Sequence, residues 1–159
     1  INDYKENLDF LIVGSGTKID EMKRKAKMLN LQKKITFTGF VNHNKVINYY
    51  NKISLFVAVS TRESFGVSIL EAAACGIPSI TSNIGGLKEV NLNNITGKVI
   101  NPNNPQELAK SIILLYEDNK LRNYFSQNAR KRVEKYFNWN NSVKNMLSVY
   151  NRTLNNDII

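Results

Sequence analysis

Two apolar runs, Leu55-Phe56-Val57-Ala58-Val59 and Ile77-Pro78-Ser79-Ile80, bracket the stretch that most constrains this chain. Each has the length and content of a buried strand. Between them lies Glu63-Ser64-Phe65-Gly66-Val67-Ser68-Ile69-Leu70-Glu71-Ala72-Ala73-Ala74-Cys75-Gly76. This reads as a loop and then a short helix starting near Gly66. The helix is apolar nearly all round, a pattern that predicts burial rather than a wet face. Glu71 is the only charged residue between Glu63 and Lys88. A carboxylate without partners is costly to bury, so Glu71 is expected at a wet edge or on hydrogen-bond donors.

The same alternation runs through the rest of the chain. Residues 1–7 carry no periodicity. Leu8 to Val13 reads as a strand, Gly14-Ser15-Gly16 as a turn, and Thr17 to Asn30 as a helix with Ile19, Met22, Ala26 and Leu29 inward. Strand Lys34 to Phe40 and helix Asn42 to Asn51 follow, the latter turning Val46, Ile47 and Tyr50 inward. After strand Ser79 to Ser82, the paired glycines of Asn83-Ile84-Gly85-Gly86 make a loop. Leu87 to Val90 begins a short helix whose start Glu89 is expected to stabilise, a ligand carboxylate being the alternative, and Lys98 to Ile100 is a strand. Pro105 opens a helix to about Asp118, with Leu108, Ala109, Ile112, Ile113 and Tyr116 on one face. A helix over Lys120 to Phe137 points Leu121, Tyr124, Phe125, Ala129 and Val133 inward. Asn138 is placed to cap a last helix over Asn140 to Leu154. Strands alternating with helices predict an α/β fold, a Rossmann-like, mainly parallel sheet with helices on both faces. The 159 residues fit one domain. Ligands in such sheets bind beyond the carboxyl ends of the strands. Gly14, Val41, Glu63 and Gly85 all follow predicted strands and are expected on one rim.

The chemistry concentrates at the start of the short helix. Backbone N–H groups of Phe65, Gly66 and Val67 would point out of it and attract an anion, phosphate above all. Gly66 would let that ligand approach the backbone closely. Glu63 lies just before the helix and Glu71 one turn in. Carboxylates suit hydroxyls rather than phosphate, because they accept hydrogen bonds from vicinal diols. A diphosphate with a ribose on one end and a sugar on the other has that layout.

Glu63-x7-Glu71 with Phe65-Gly66, Glu71-Ala72 and Cys75-Gly76, followed by Gly85-Gly86-x-x-Glu89, resembles the signature of glycosyltransferase family four. These are retaining, nucleotide-sugar-dependent enzymes with the GT-B fold. Leu11-Ile12-Val13-Gly14-Ser15-Gly16, Ile35-Thr36-Phe37-Thr38-Gly39-Phe40-Val41 and Asn138-Trp139 extend the likeness over nearly the whole chain. The resemblance implies the C-terminal, donor-binding half of such an enzyme, taking a UDP-, GDP- or ADP-sugar and passing the sugar to a glycan or lipid-linked acceptor. It implies that Glu71 accepts from ribose hydroxyls and that Glu63 holds hydroxyls of the donor sugar. The amides of Phe65, Gly66 and Val67 would receive the diphosphate, Gly14 and Gly16 would face it, and Phe40 and Val41 would lie near the base. Glu63 as a covalent nucleophile is the alternative to a positioning role. The family's N-terminal domain and the first strand of this half have no counterpart in these residues. The chain is therefore expected to be part of a longer enzyme, with weak donor binding and no turnover alone. Surface polysaccharide or glycolipid synthesis is the expected setting.

Composition narrows the rest. The content is 42% hydrophobic and 22% charged, that of a globular protein. The net charge of +9 reads as solvated helix faces, with attraction to an anionic membrane surface or lipid-linked acceptor as the alternative. Nucleic acid is not expected as a partner, since no aromatic-interleaved basic motif accompanies the charge. The single cysteine, Cys75, reads as a buried inert thiol in a reducing cytoplasm, with peripheral contact at the inner face of the plasma membrane as the extension. His43, the only histidine, is expected at the surface, and no metal or cofactor is expected. Three rivals remain: a nucleotide-sugar epimerase of the same fold, a non-catalytic sugar-binding module, and a membrane-docking module.

Overall fold

The computed structural model of this chain describes residues 8–154, so the non-periodic start, residues 1–7, lies outside the described residues. The chain divides into two compact units, Ile1–Ser54 and Leu55–Ile159.

The first unit contains β1 (Phe10–Ile12), α1 (Ile19–Met28), β2 (Ile35–Phe37) and α2 (His43–Tyr50). β1 and β2 pair in parallel, Phe10 opposite Ile35 and Ile12 opposite Phe37. Asp9 and Lys34 form an ion pair at 3.5 Å where the two strands begin. In α1, Asp20 and Glu21 occupy the first turn and Lys25 and Lys27 the last, an order that suits the helix dipole. Ala26 and Tyr50 are buried as the periodicity predicts, but Met22, Leu29 and Ile47, expected inward, are exposed. Periodicity identifies the stripe that faces the sheet. Two strands of three residues give that stripe little to pack on.

The second unit contains β3 (Phe56–Ala58), α3 (Val67–Ala74), β4 (Ser79–Ser82), α4 (Leu87–Val90), β5 (Gly97–Ile100), α5 (Pro105–Glu117), α6 (Asn119–Tyr136) and α7 (Trp139–Leu154). The sheet order is β3-β4-β5, all parallel. Every residue of β4 is buried. Successive strand side chains point to opposite faces, so both faces of the sheet are covered at this central strand. Asn91 locks β4 to β5 from the turn after α4. Its buried amide nitrogen donates to the Ser79 carbonyl (3.2 Å), to Thr81 Oγ1 (3.0 Å) and to the Lys98 carbonyl (3.0 Å), and its oxygen accepts from Thr96 Oγ1 at 2.9 Å.

Helix ends follow local chemistry. Asn104 accepts from the Glu107 amide with Pro105 in the first turn of α5, and Asp118 accepts from the Leu121 amide at 2.8 Å. Asn138 caps α7 as expected, accepting from the Asn141 amide at 2.9 Å. α6 packs on α3: Ser126 donates to the Gly76 carbonyl at 2.5 Å and Arg130 to the Ala74 carbonyl, which places a cation at the negative end of α3. Phe125 and Leu115 are fully enclosed, whereas Tyr124 and Tyr116, expected inward, are exposed. The ring of Tyr124 packs beside Phe125 instead, centroids 5.9 Å apart. α7 leaves Val143, Met146, Leu147, Tyr150 and Leu154 exposed along one side, with Trp139 at 81% exposure.

Candidate functional site

Gly66 is the residue from which α3 starts. It lies in the left-handed region at φ 88°, ψ 52°, and α3 begins with no side-chain cap. An L side chain rarely takes that conformation. A β-carbon there would also stand 2.7 Å from Leu87 Cδ2 and 2.9 Å from Ile69 Cδ1. Gly66 therefore serves close packing on the core. The missing β-carbon faces Leu87 and Ile69, a packing role that the sequence reading, which had the glycine admit a ligand, did not include. Leu87, Ile69 and Val90 form the buried cluster beneath, with Phe56, Ala58, Leu70, Ile84 and Phe137 packed around it.

α3 itself is not enclosed all round, contrary to the reading of its apolar sequence. Ile69, Ala72 and Ala73 are buried, but Val67 is 60% exposed and Ser68 is exposed. Glu71 stands four residues after Val67 and three after Ser68, hence on the same open face one turn from the helix start. It is half-buried, at the wet edge that its charge requires. Cys75 is half-buried at the carboxyl end of α3 rather than fully enclosed.

Glu63 is exposed on the loop between β3 and α3. Its Oε1 accepts from the Ser64 amide at 3.1 Å and the Phe65 amide at 3.5 Å. The Phe65 amide, expected to point freely toward an anion, thus faces the carboxylate of Glu63. The ring of Phe65 turns away to Phe137, centroids 6.1 Å apart. Phe137 in turn lies under the guanidinium of Arg132, 5.5 Å from its centroid, and Arg132 donates to the Glu89 carbonyl at 2.6 Å. These contacts pin the loop to α4 and α6.

The Gly85-Gly86 loop packs directly on the Glu63 loop. Gly86 donates its amide to the Ser64 carbonyl at 3.2 Å. β-Carbons at Gly85 and Gly86 would fall 2.2 Å from the Glu63 carbonyl oxygen and 2.3 Å from that of Ser64. Thr61, Arg62, Glu63, Ser64, Ile84 and Gly85 line an open cleft of ≈ 600 Å³, a volume within the range of small-molecule sites. The lining stops short of Gly66 and Val67. Arg62 was not singled out by spacing; its signal was a cation directly beside the first acid of the motif.

Gly14, Gly16 and Val41 belong to the first unit. The Gly14 amide donates to the Gly39 carbonyl at 3.1 Å, so this glycine joins the turns after β1 and β2. Gly16 has open space beside its α-carbon. Val41 is half-buried and follows Phe40, which is 81% exposed. The predicted rim is thus seen as two meetings, Gly14 with Gly39 and the Glu63 loop with Gly85, each within its own unit. His43 is exposed at the start of α2. Among the described residues no group of three or more His, Cys, Asp or Glu is placed to hold a metal, and no helix is long and apolar enough to cross a membrane.

Parallel strands flanked by helices, with candidate residues on the loops that follow the strands, are the Rossmann-like architecture of the C-terminal half of GT-B glycosyltransferases. The chain belongs to the glycosyl transferases group 1 family, whose profile matches residues 1–132. It is 32% identical over 146 residues to an uncharacterised glycosyltransferase of Methanocaldococcus jannaschii, covering 92% of this chain and 37% of that relative. A glycosyltransferase of Rickettsia africae superposes with a TM-score of 0.84 at 30% identity, over 93% of this chain and 40% of the other. Anabaena HepE, solved in complex with UDP-glucose, superposes with a TM-score of 0.78 at 26% identity, over 87% of this chain and 40% of that one. The chain therefore spans about two-fifths of the length of the proteins it matches.

Proposed function

We propose that these residues bind the donor of a retaining, family-four glycosyltransferase, a UDP-, GDP- or ADP-sugar, within a longer enzyme that passes the sugar to a glycan or lipid-linked acceptor. The observation that carries this reading is the uncapped start of α3, with Glu63 on a cleft before it and Glu71 on its open face. In this reading the amides of Gly66 and Val67 receive the diphosphate, joined by Phe65 once Glu63 turns to the ligand. Glu71 accepts from the ribose and Glu63 from the sugar. Gly14, Gly16 and Val41 keep the phosphate- and base-facing roles that the resemblance gives them. The exposed ring of Phe40 is free to stack on a base.

Transfer breaks the bond between the anomeric carbon and the leaving phosphate oxygen and forms one to the acceptor oxygen. The acceptor proton goes to the leaving phosphate. Negative charge grows on the diphosphate as it departs, so amides fixed beforehand at the helix start act on the transition state. Glu63 positions the donor rather than attacking it, the role that the resemblance gives it. No metal is assigned to the reaction. The charge of +9 suits an anionic acceptor or a peripheral membrane surface.

Titration calorimetry of this chain with UDP, GDP, ADP and their sugars tests the reading. Saturable binding of one nucleotide series is expected, weakened about tenfold or more by Glu63→Ala for the sugar-bearing form and by Glu71→Ala for both forms, since hydrogen bonds to charged groups contribute about 1.5–3 kcal/mol. Absence of binding for all three series, or both variants binding like the parent, refutes it.

A further inference from the structure

We infer that Arg62 selects a sugar bearing a carboxylate, so that the cleft beside Glu63 takes a uronic-acid type of substrate rather than a neutral hexose. The inference rests on the donor-binding reading and adds the substrate class to it. Arg62 and Glu63 are the charged residues of the cleft lining. The carboxylate of Glu63 is engaged by the amides of Ser64 and Phe65. Among the described residues no ion pair joins Arg62 to a carboxylate. The guanidinium therefore has no carboxylate partner among the described residues.

The lining ends before Gly66 and Val67. A diphosphate at the start of α3 thus leaves the cleft to whatever is attached to it. A neutral sugar finds hydroxyl partners in Thr61, Glu63 and Ser64, and nothing in that set requires a cation. Covering the guanidinium with a neutral ring removes water from it without supplying a charged acceptor, which is unfavourable. A carboxylate reverses the balance by taking two parallel hydrogen bonds from the planar fork, a geometry lysine does not offer. Arg62 is exposed, so the preference is expected to weaken with added salt.

The test measures the affinity of this chain for UDP-glucose and UDP-glucuronate, in the parent, Arg62→Gln and Arg62→Lys. If the nucleotide titration selects GDP, the pair is GDP-mannose and GDP-mannuronate. A further arm titrates free glucuronate onto the UDP-bound chain. The expected result is a preference of about tenfold for the uronate donor. It vanishes in Arg62→Gln, is partly kept in Arg62→Lys, and falls as salt rises, while UDP affinity is unchanged throughout. The same Arg62-dependent gain for free glucuronate alone places the carboxylate on the acceptor and supports the inference from the other source. Nucleotide binding without any uronate preference overturns the assignment of Arg62 and leaves the donor-binding reading intact. Failure of every nucleotide to bind overturns both.

Discussion

Gly86→Ala separates a structural use of glycine from a ligand-binding one. Gly86 sits at φ −70°, ψ −6°, which alanine adopts without strain. Its replacement would ordinarily stabilise a protein by about 0.4–1 kcal/mol through the unfolded chain. Here the new β-carbon would stand 2.3 Å from the Ser64 carbonyl oxygen and 3.1 Å from Phe65 Cα. An ordinary carbon–oxygen contact is about 3.3 Å or more, so the Glu63 loop must retreat by about 1 Å. Such crowding typically costs about 1–3 kcal/mol, and loss of the Gly86–Ser64 hydrogen bond adds about 1 kcal/mol. The net loss is about 1–3 kcal/mol, or roughly 4–12 °C at about 4 °C per kcal/mol for a unit of this size. The retreat also moves Glu63 and the Phe65 amide, and misplacements of about 1 Å can cost about a hundredfold in rate. Thermal unfolding by circular dichroism, paired with donor titration, measures both effects. Gly16→Ala, with open space around the new carbon, is the control and should change stability by less than about 0.5 kcal/mol. A Gly86→Ala protein that melts within about 2 °C of the parent and binds donor within about twofold would refute the reasoning.

Two further outcomes follow from the same packing. Gly66→Ala should lose about 2–5 kcal/mol in thermal unfolding, about 1–2 from the left-handed backbone and the rest from contact with Leu87 and Ile69; unchanged stability would refute the packing role of Gly66. Asn91→Ala should destabilise the second unit by about 2–4 kcal/mol in urea titration, because it removes the side-chain donor to buried Thr81 and to the Ser79 and Lys98 carbonyls; a change under about 1 kcal/mol would mean that Asn91 does not tie β4 to β5.

How much of the site was legible can be judged from three positions. Glu71 was found, because one charge in an apolar helix must have a wet edge or partners, and the structure gives it that edge. Gly66 was read only in part: its conformational freedom is visible in sequence, whereas Leu87 filling the space beside it is not. Arg62 was passed over, since a lone exposed cation gains meaning only when a cleft surrounds it.

The element order, the parallel α/β class, the Asn138 cap and the pairing of two acids around a helix start are properties of local pattern. Strand period, helix period, cap residues and glycine positions act over a few neighbouring residues, so the chain declares them itself. Tertiary structure alone decided which apolar stripes are covered, as at Met22, Ile47 and Tyr124, and that the Glu63 and Gly85-Gly86 loops touch. Those outcomes depend on what arrives from elsewhere in the chain. Burial and backbone-to-backbone contact are properties of pairs distant in sequence, and no window of neighbouring residues contains both members of the pair.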